Sequence, residues 1–106
     1  SAADIARVSK RGAYGGSGGA VSVKAVASGR PAARAVVVVG KKVSKRAVVR
    51  NRIRRRLIEL LRDRWETVEP GYDIVISVHA DISELPTAEL MGHLAKAFTR
   101  AHIDKR

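Results

Sequence analysis

The feature that most limits the fold of this chain is a block of positive charge near its middle. Residues 41–64 carry eleven Lys and Arg side chains against two acidic ones, in a 106-residue chain whose net charge is +11. Most of the net positive charge therefore lies in less than a quarter of the chain. The mutual repulsion of these charges destabilises a compact state unless a polyanion neutralises them. Nucleic acid is favoured over an anionic membrane, which usually requires an amphipathic helix with aromatic side chains.

A periodic pattern inside this block predicts a helix from roughly Arg46 to Arg64, preceded by a lysine-rich loop that opens at Lys41. Its apolar residues recur at the spacing of one helical face: Val49, Ile53, Leu57, Leu60 and Leu61. Four arginines are predicted to point away from that face, toward solvent: Arg52, Arg55, Arg56 and Arg62. Arg50 and Arg54 lie on its other flank, and Ile58 fits neither face.

The remaining segments predict a mixed architecture. We expect a helix at Asp4–Arg11, a mobile glycine-rich loop over residues 12–19, and a final helix beginning near Pro86. Strands are expected at Ala20–Ala27 with one face buried, at Ala35–Val39 with both faces buried, and at Tyr72–His79. The order is α-β-β-α-β-α, with room for one short strand before the central helix. It indicates one domain over residues 1–106, an α+β (α/β) two-layer sandwich. The apolar stripe of the final helix comprises Leu90, Met91, Leu94, Ala97, Phe98 and Ala101.

Several function classes find no support in the sequence. The chain has no cysteine, no run of roughly 20 apolar residues that could span a membrane and no signal-peptide pattern. We therefore expect a cytoplasmic protein. Gly40 and Lys41 lack the other residues of a phosphate-binding loop, and the three histidines show no metal-ligand spacing. We expect the polypeptide itself to be non-catalytic, and the sequence identifies no metal ligand.

Residues 40–57, GKKVSKRAVVRNRIRRRL, closely resemble the signature of the bacterial ribonuclease P protein subunit. Residues 70–76, PGYDIVI, and residues 4–12, DIARVSKRG, are similar to its following strand and first helix. The resemblance implies a sandwich with a left-handed βαβ crossover, as in a ribosomal-protein domain. It also implies a protein that binds the catalytic RNA of ribonuclease P. That RNA removes the 5′ leader of precursor tRNA with Mg²⁺, and the protein helps to bind the leader.

The resemblance also assigns residues. Contacts to the catalytic RNA are expected from a basic set: Lys41, Lys42, Lys45, Arg46, Arg50, Asn51, Arg52, Arg54, Arg55 and Arg56. The cleft for the precursor tRNA leader would involve Ile5, Ser9, Lys10, Val21 and Val23. The family tends to place aromatic residues where this chain has Ile5, Ser9 and Val23. That difference weakens the case for leader binding by base stacking, which contributes roughly 1–3 kcal/mol per base. No obligate protein partner is evident.

Two other functions are compatible with the same basic helix. One is a non-enzymatic protein that binds a structured RNA or the ribosome. The other is a DNA-binding module whose arginine helix enters a major groove. Asn51 is also ambiguous, since its amide could cap the helix or contact RNA.

Overall fold

The computed structural model describes residues 14–17 and 19–101. Within them lie four strands and two helices: β1 (Tyr14–Ser17), β2 (Val21–Ala27), β3 (Arg34–Val39), α1 (Ala47–Arg64), β4 (Tyr72–Val78) and α2 (Thr87–Ala101). A 3₁₀ turn, Trp65–Thr67, follows α1. The helix predicted at Asp4–Arg11 lies outside the described residues.

The strands form one mixed sheet in the order β1-β2-β4-β3. Strand β2 runs antiparallel to both of its neighbours, with Val21 opposite Val78 of β4. Strand β3 runs parallel to β4, with Val39 also opposite Val78. Because parallel neighbours need a crossover, α1 provides the βαβ connection between these two strands.

Both helices pack on one face of the sheet, which gives the predicted two-layer sandwich. Ile53, Leu57 and Leu61 of α1 and Leu90, Leu94 and Phe98 of α2 are buried in one core. That core also contains alternate residues of the strands: Val21, Val23, Ala25, Val37, Val39, Ile74, Ile76 and Val78. Alternation places their strand neighbours on the other face, where Val26 and Val75 form a small separate cluster with Val36. The predicted fold class is confirmed.

Two predictions about strands are wrong. The segment Tyr14–Ser17, which was predicted to belong to a glycine-rich loop, is a strand, because backbone pairing with β2 overrides its poor strand propensity. The additional short strand was expected directly before the central helix, but it lies before β2. Strand β3 was expected to be buried on both faces, yet it is an edge strand with Ala35 and Val38 exposed. Only Val37 and Val39 of this strand reach the buried core under the helices.

The helices follow their predicted patterns with one exception. Helix α1 begins and ends within one residue of the predicted bounds, and its apolar stripe faces the core. The guanidinium of Arg64 lies over the ring of Phe98, 5.0 Å from its centroid, and so ties α1 to α2. Met91 was placed on the buried stripe of α2, but 51% of it is exposed. At about 100° per residue it lies beyond Phe98, outside the arc that faces the sheet.

Two turns at one end of the sheet hold each other in place. The carbonyl of Gly71 accepts hydrogen bonds from the backbone N–H (2.8 Å) and the hydroxyl (3.1 Å) of Ser28. Gly71 has a φ of +88°, which only glycine adopts readily, and a Cβ there would lie 3.4 Å from the carbonyl oxygen of Arg30. The positive φ, more than the space around the Cβ position, therefore favours glycine in the Pro70-Gly71 turn.

Candidate nucleic-acid interface

The lysine loop before α1 is a tight turn that exposes its charges. The N–H of Val43 donates to the carbonyl of Gly40 at 3.0 Å, which closes the turn. The predicted contact residues of this loop are all exposed: Lys41, Lys42, Lys45 and Arg46. Four cations within six residues, with no acidic residue among them, form a compact positive surface.

Helix α1 begins without neutralisation of its positive end. Arg46 occupies the capping position, no side chain caps the helix, and its first turn contains no acidic residue. Ser44 shapes the junction instead, because its hydroxyl accepts from the N–H of Arg46 (3.2 Å) and its carbonyl accepts from Nη1 of Arg50 (2.9 Å). The partial positive charge of the helix N-terminus therefore adds to the lysine loop. Arg50 links the loop to the helix.

The exposed face of α1 carries a shallow depression of about 320 Å³. It is lined by Val48, Asn51, Arg52, Arg55, Arg56 and Glu59. Arg52 and Arg55 are exposed there, as predicted from the helical pattern. Arg52 forms an ion pair with Glu84 at 3.0 Å, with both side chains largely in water. Such a pair contributes little, so a phosphate can displace Glu84 from Arg52 at small cost.

Asn51 neither caps the helix nor stands apart from the arginines. Its Oδ1 accepts a hydrogen bond of 2.7 Å from Nη1 of Arg54, one turn further along. The amide therefore orients the guanidinium of Arg54 at the surface. Asn51 therefore does not cap the helix but positions an arginine, and its contact with RNA stays a prediction.

Arg56 differs from the other arginines of α1. Its pattern position predicted a solvent-facing side chain, but the guanidinium turns toward the segment before α2 and is partly buried. Nη1 donates to the carbonyls of Ile82 and Ser83, both at 3.0 Å, and Nη2 donates to the carbonyl of Leu85. These bonds use three of the five N–H donors of the guanidinium and hold it against the backbone of that segment. The structure therefore corrects the prediction that Arg56 faces solvent.

The predicted leader residues divide into two groups. Ile5, Ser9 and Lys10 lie outside the described residues. Val21 and Val23 are 0% exposed and belong to the core between sheet and helices, so they offer no surface to an RNA base. This position argues against a direct leader contact by either valine.

The neighbouring residues on β2 lie on the other face of the sheet. Lys24 is exposed there, and the hydroxyl of Ser22 is 2.7 Å from Nε2 of His79 in a hydrogen bond. The strand alternation itself could have identified them, because residues next to a buried residue face the opposite side. His79 therefore pairs with Ser22.

Asp81 lies in the segment between β4 and α2, two residues before Ser83. It accepts hydrogen bonds from the hydroxyl (2.6 Å) and the N–H (2.9 Å) of Ser83. These bonds, and to a lesser extent the charge of Arg52, hold the pKa of Asp81 below its usual range. Across the described residues, no three His, Asp or Glu side chains gather as metal ligands would. Neither helix of that region has the length and apolar character needed to cross a bilayer.

Together these features define a class: a small α+β protein that exposes a lysine loop and an arginine-faced helix on one surface. The chain belongs to the ribonuclease P protein family, since that family's model, described as Ribonuclease P, matches residues 1–102. The resemblance seen in residues 40–57 is thereby confirmed.

Curated relatives carry the name ribonuclease P protein component. The one from Azoarcus sp. (strain BH72) is 43% identical over 68 residues, which cover 64% of this chain and 56% of the relative. The one from Cyanothece sp. (strain PCC 7425 / ATCC 29141) is 39% identical over 67 residues, covering 63% and 51%. The chain thus spans about half the length of the curated relatives it matches.

Solved structures share the fold. The ribonuclease P protein of Staphylococcus aureus matches with a TM-score of 0.79 and 21% identity, over 100% of this chain and 90% of that one. The protein from Thermotoga maritima matches with a TM-score of 0.75 and 22% identity, over 94% and 91%. At these identities the likeness establishes the architecture.

Proposed function

We propose that this chain is the protein subunit of a ribonuclease P holoenzyme and docks on its catalytic RNA through the lysine loop and α1. The proposal rests on one observation: the residues of the family signature form one continuous cationic surface. That surface runs from Lys41 through the uncapped helix start to Arg55, with Glu84 as its one ion-paired neighbour among the residues described. Arginine forks suit phosphate oxygens on adjacent RNA strands.

In this function the RNA performs the chemistry and the protein contributes binding. We expect the Mg²⁺ of the reaction to be held largely by the RNA. The chain would lower the Mg²⁺ requirement by neutralising RNA phosphates and by helping to hold precursor tRNA. Such an enzyme works where precursor tRNA is made, in the cytoplasm.

For the 5′ leader, the exposed ammonium of Lys24 is the described side chain best placed on the sheet face opposite the helices. A flexible cation there can follow a backbone phosphate without reading sequence. We expect leader binding by this route to be electrostatic rather than by base stacking, since Val21 and Val23 are buried.

Reconstitution tests the proposal. The chain is added to a bacterial ribonuclease P RNA at low Mg²⁺, and cleavage of precursor tRNA at its mature 5′ end is measured. We expect the cleavage rate to rise well above that of RNA alone. Equal rates with and without the chain would contradict the proposal and favour a non-enzymatic RNA-binding protein. Tighter binding to duplex DNA than to folded RNA at equal salt would instead favour the DNA-binding module.

A further inference from the structure

A second surface lies along the outer edge of the sheet, on the flank of α1 next to the exposed face that carries Arg52 and Arg55. It is a groove of about 740 Å³ between β3 and α1, within the range of ligand-binding pockets. Its lining is largely apolar and comprises Ala33, Arg34, Ala35, Val36, Val37, Arg54, Ile58, Leu61, Arg62 and Trp65. Ile58, the residue that fits neither face of the helical pattern, belongs to this groove and is 41% exposed.

The strand that forms one wall has an unprotected edge. Strand β3 is last in the sheet, so alternate residues direct their N–H and C=O groups away from β4. Proteins usually protect such edges with internal charges, proline or a bulge. After Arg34, β3 continues as Ala-Val-Val-Val-Val without any of these, and Ala35 and Val38 are exposed. An edge of this kind favours pairing with an added strand.

The opposite wall has a regular charge pattern. Arg54, Ile58 and Arg62 are four residues apart on α1 and therefore share one flank on successive turns. Arg54 and Arg62 are separated by two turns, about 12 Å along the helix. Among the described carboxylates, none forms an ion pair with either arginine.

An extended polypeptide has the matching spacing. Its side chains at positions i, i+2 and i+4 share one face, and i and i+4 are about 13 Å apart. Acidic side chains at i and i+4 would then meet Arg54 and Arg62, while an apolar side chain at i+2 would pack on Ile58. The backbone of the same segment could pair with β3.

We propose that this groove binds an extended polypeptide segment with the pattern acidic–x–apolar–x–acidic, added to the sheet beside β3. The proposal does not depend on RNA binding. A second copy of the chain fits poorly, because a symmetric β3–β3 contact would bring the arginine rims together. None of the four described strands carries the acidic pattern.

Trp65 provides a direct test, because it is the single tryptophan of the chain and lines the groove. The full chain is titrated at low salt with the blocked peptide Ser-Glu-Thr-Val-Thr-Glu-Ser while Trp65 fluorescence is recorded. Peptides with both Glu replaced by Lys, or with Val replaced by Ser, serve as specificity controls. We expect a saturable fluorescence change with the first peptide and at least fivefold weaker binding of the two controls.

Matched variants separate the groove from general charge and stability effects. Ile58→Glu and Arg62→Glu should each weaken peptide binding at least fivefold. Met91→Glu and Lys96→Glu make the same kinds of change, apolar to acidic and basic to acidic, at exposed positions of α2. These two variants should leave peptide binding unchanged. Ile58 and Arg62 are both exposed, so circular dichroism should show the same fold; if Ile58→Glu fails to fold, Arg62→Glu alone carries the test.

Three results would overturn the proposal. The first is the absence of saturable peptide binding. The second is a change in Trp65 fluorescence with a ten-nucleotide uridine RNA and none with the peptide. If Ile58→Glu abolishes that change, the groove is an RNA site. The third is a dimer in analytical ultracentrifugation that Ile58→Glu dissociates, which would make β3 a contact between copies of this chain.

Discussion

Arg56 and Arg55 are adjacent on α1, yet the structure assigns them opposite roles. Arg56→Ala removes the donor to three backbone carbonyls between Ile82 and Leu85, whereas Arg55→Ala removes an exposed guanidinium. We predict that the first change lowers stability and leaves RNA binding largely intact. We predict that the second weakens RNA binding and leaves stability intact.

The expected magnitudes follow from these contacts. A hydrogen bond to a charged group contributes about 1.5–3 kcal/mol. The three bonds of Arg56 share one guanidinium and are only partly buried, so we expect a total near 3 kcal/mol. For a domain of this size that lowers Tm by at least roughly 10 °C. Arg55→Ala should change stability by less than about 0.5 kcal/mol, but it should flatten the slope of log K against log salt by about 0.9, as one lost phosphate contact does.

The assay measures both quantities on both variants. Thermal unfolding by circular dichroism gives Tm, and filter binding to ribonuclease P RNA at several salt concentrations gives the slope, at a temperature where both variants are folded. Arg56→Lys is a useful third variant, because one ammonium retains the charge but cannot reproduce the planar fork. A flattened slope for Arg56→Ala with an unchanged Tm would refute the assignment of Arg56 to the loop.

Three further predictions concern the sheet end and the loop before α2. Arg34→Ala should reduce the free energy of unfolding by about 2 kcal/mol in urea titration, because it removes a two-bond fork (2.8 Å each) from the buried carboxylate of Asp73. An unchanged free energy of unfolding would show that this ion pair does not stabilise the fold. Ser83→Ala should raise the pKa of Asp81 toward its ordinary value of roughly 3.9 in an NMR titration. Because the folded pKa of Asp81 is the lower one, the stability that its carboxylate contributes is complete above the unfolded pKa and is lost as pH falls through the folded pKa. An unchanged pKa in the variant would mean that the hydrogen bond from the Ser83 hydroxyl does not lower it. Gly71→Ala should lower Tm, because an alanine at this positive φ costs about 1–2 kcal/mol of the free energy of unfolding. An unchanged Tm would show that the turn does not require glycine.

Helix α1 could be predicted from the sequence because its signal is local. The apolar residues repeat at the helical period within the helix, so both the bounds and the buried face follow from that segment alone. The exposure of Arg52 and Arg55 follows in the same way. The direction of Arg56 does not, because its three acceptors lie 26 to 29 positions later in the chain. The helical pattern determines the direction of the Cα–Cβ bond. The final position of a long side chain also depends on the hydrogen-bond acceptors that tertiary packing brings close to it.

The sheet shows the same limit at the level of strand order. Alternation correctly predicted the buried residues of β2, and by that logic Val21 and Val23 could not also line an RNA cleft. The valine run of β3 indicated a strand covered on both sides, but its edge position results from the crossover through α1, which no local pattern encodes. Strand β3 is more hydrophobic than its exposed edge position requires, which is consistent with a partner that binds along the groove beside Ile58.

The central claim is that the basic face of α1 docks the catalytic RNA. Its most direct test is precursor tRNA cleavage at low Mg²⁺, measured against protein concentration for the wild type and for Arg52→Ala/Arg55→Ala. At about 0.1 M salt, each lost phosphate contact weakens binding roughly eightfold. The double variant should therefore need roughly 60-fold more protein to reach the same maximal rate. Coincident curves for the two proteins would contradict the claim.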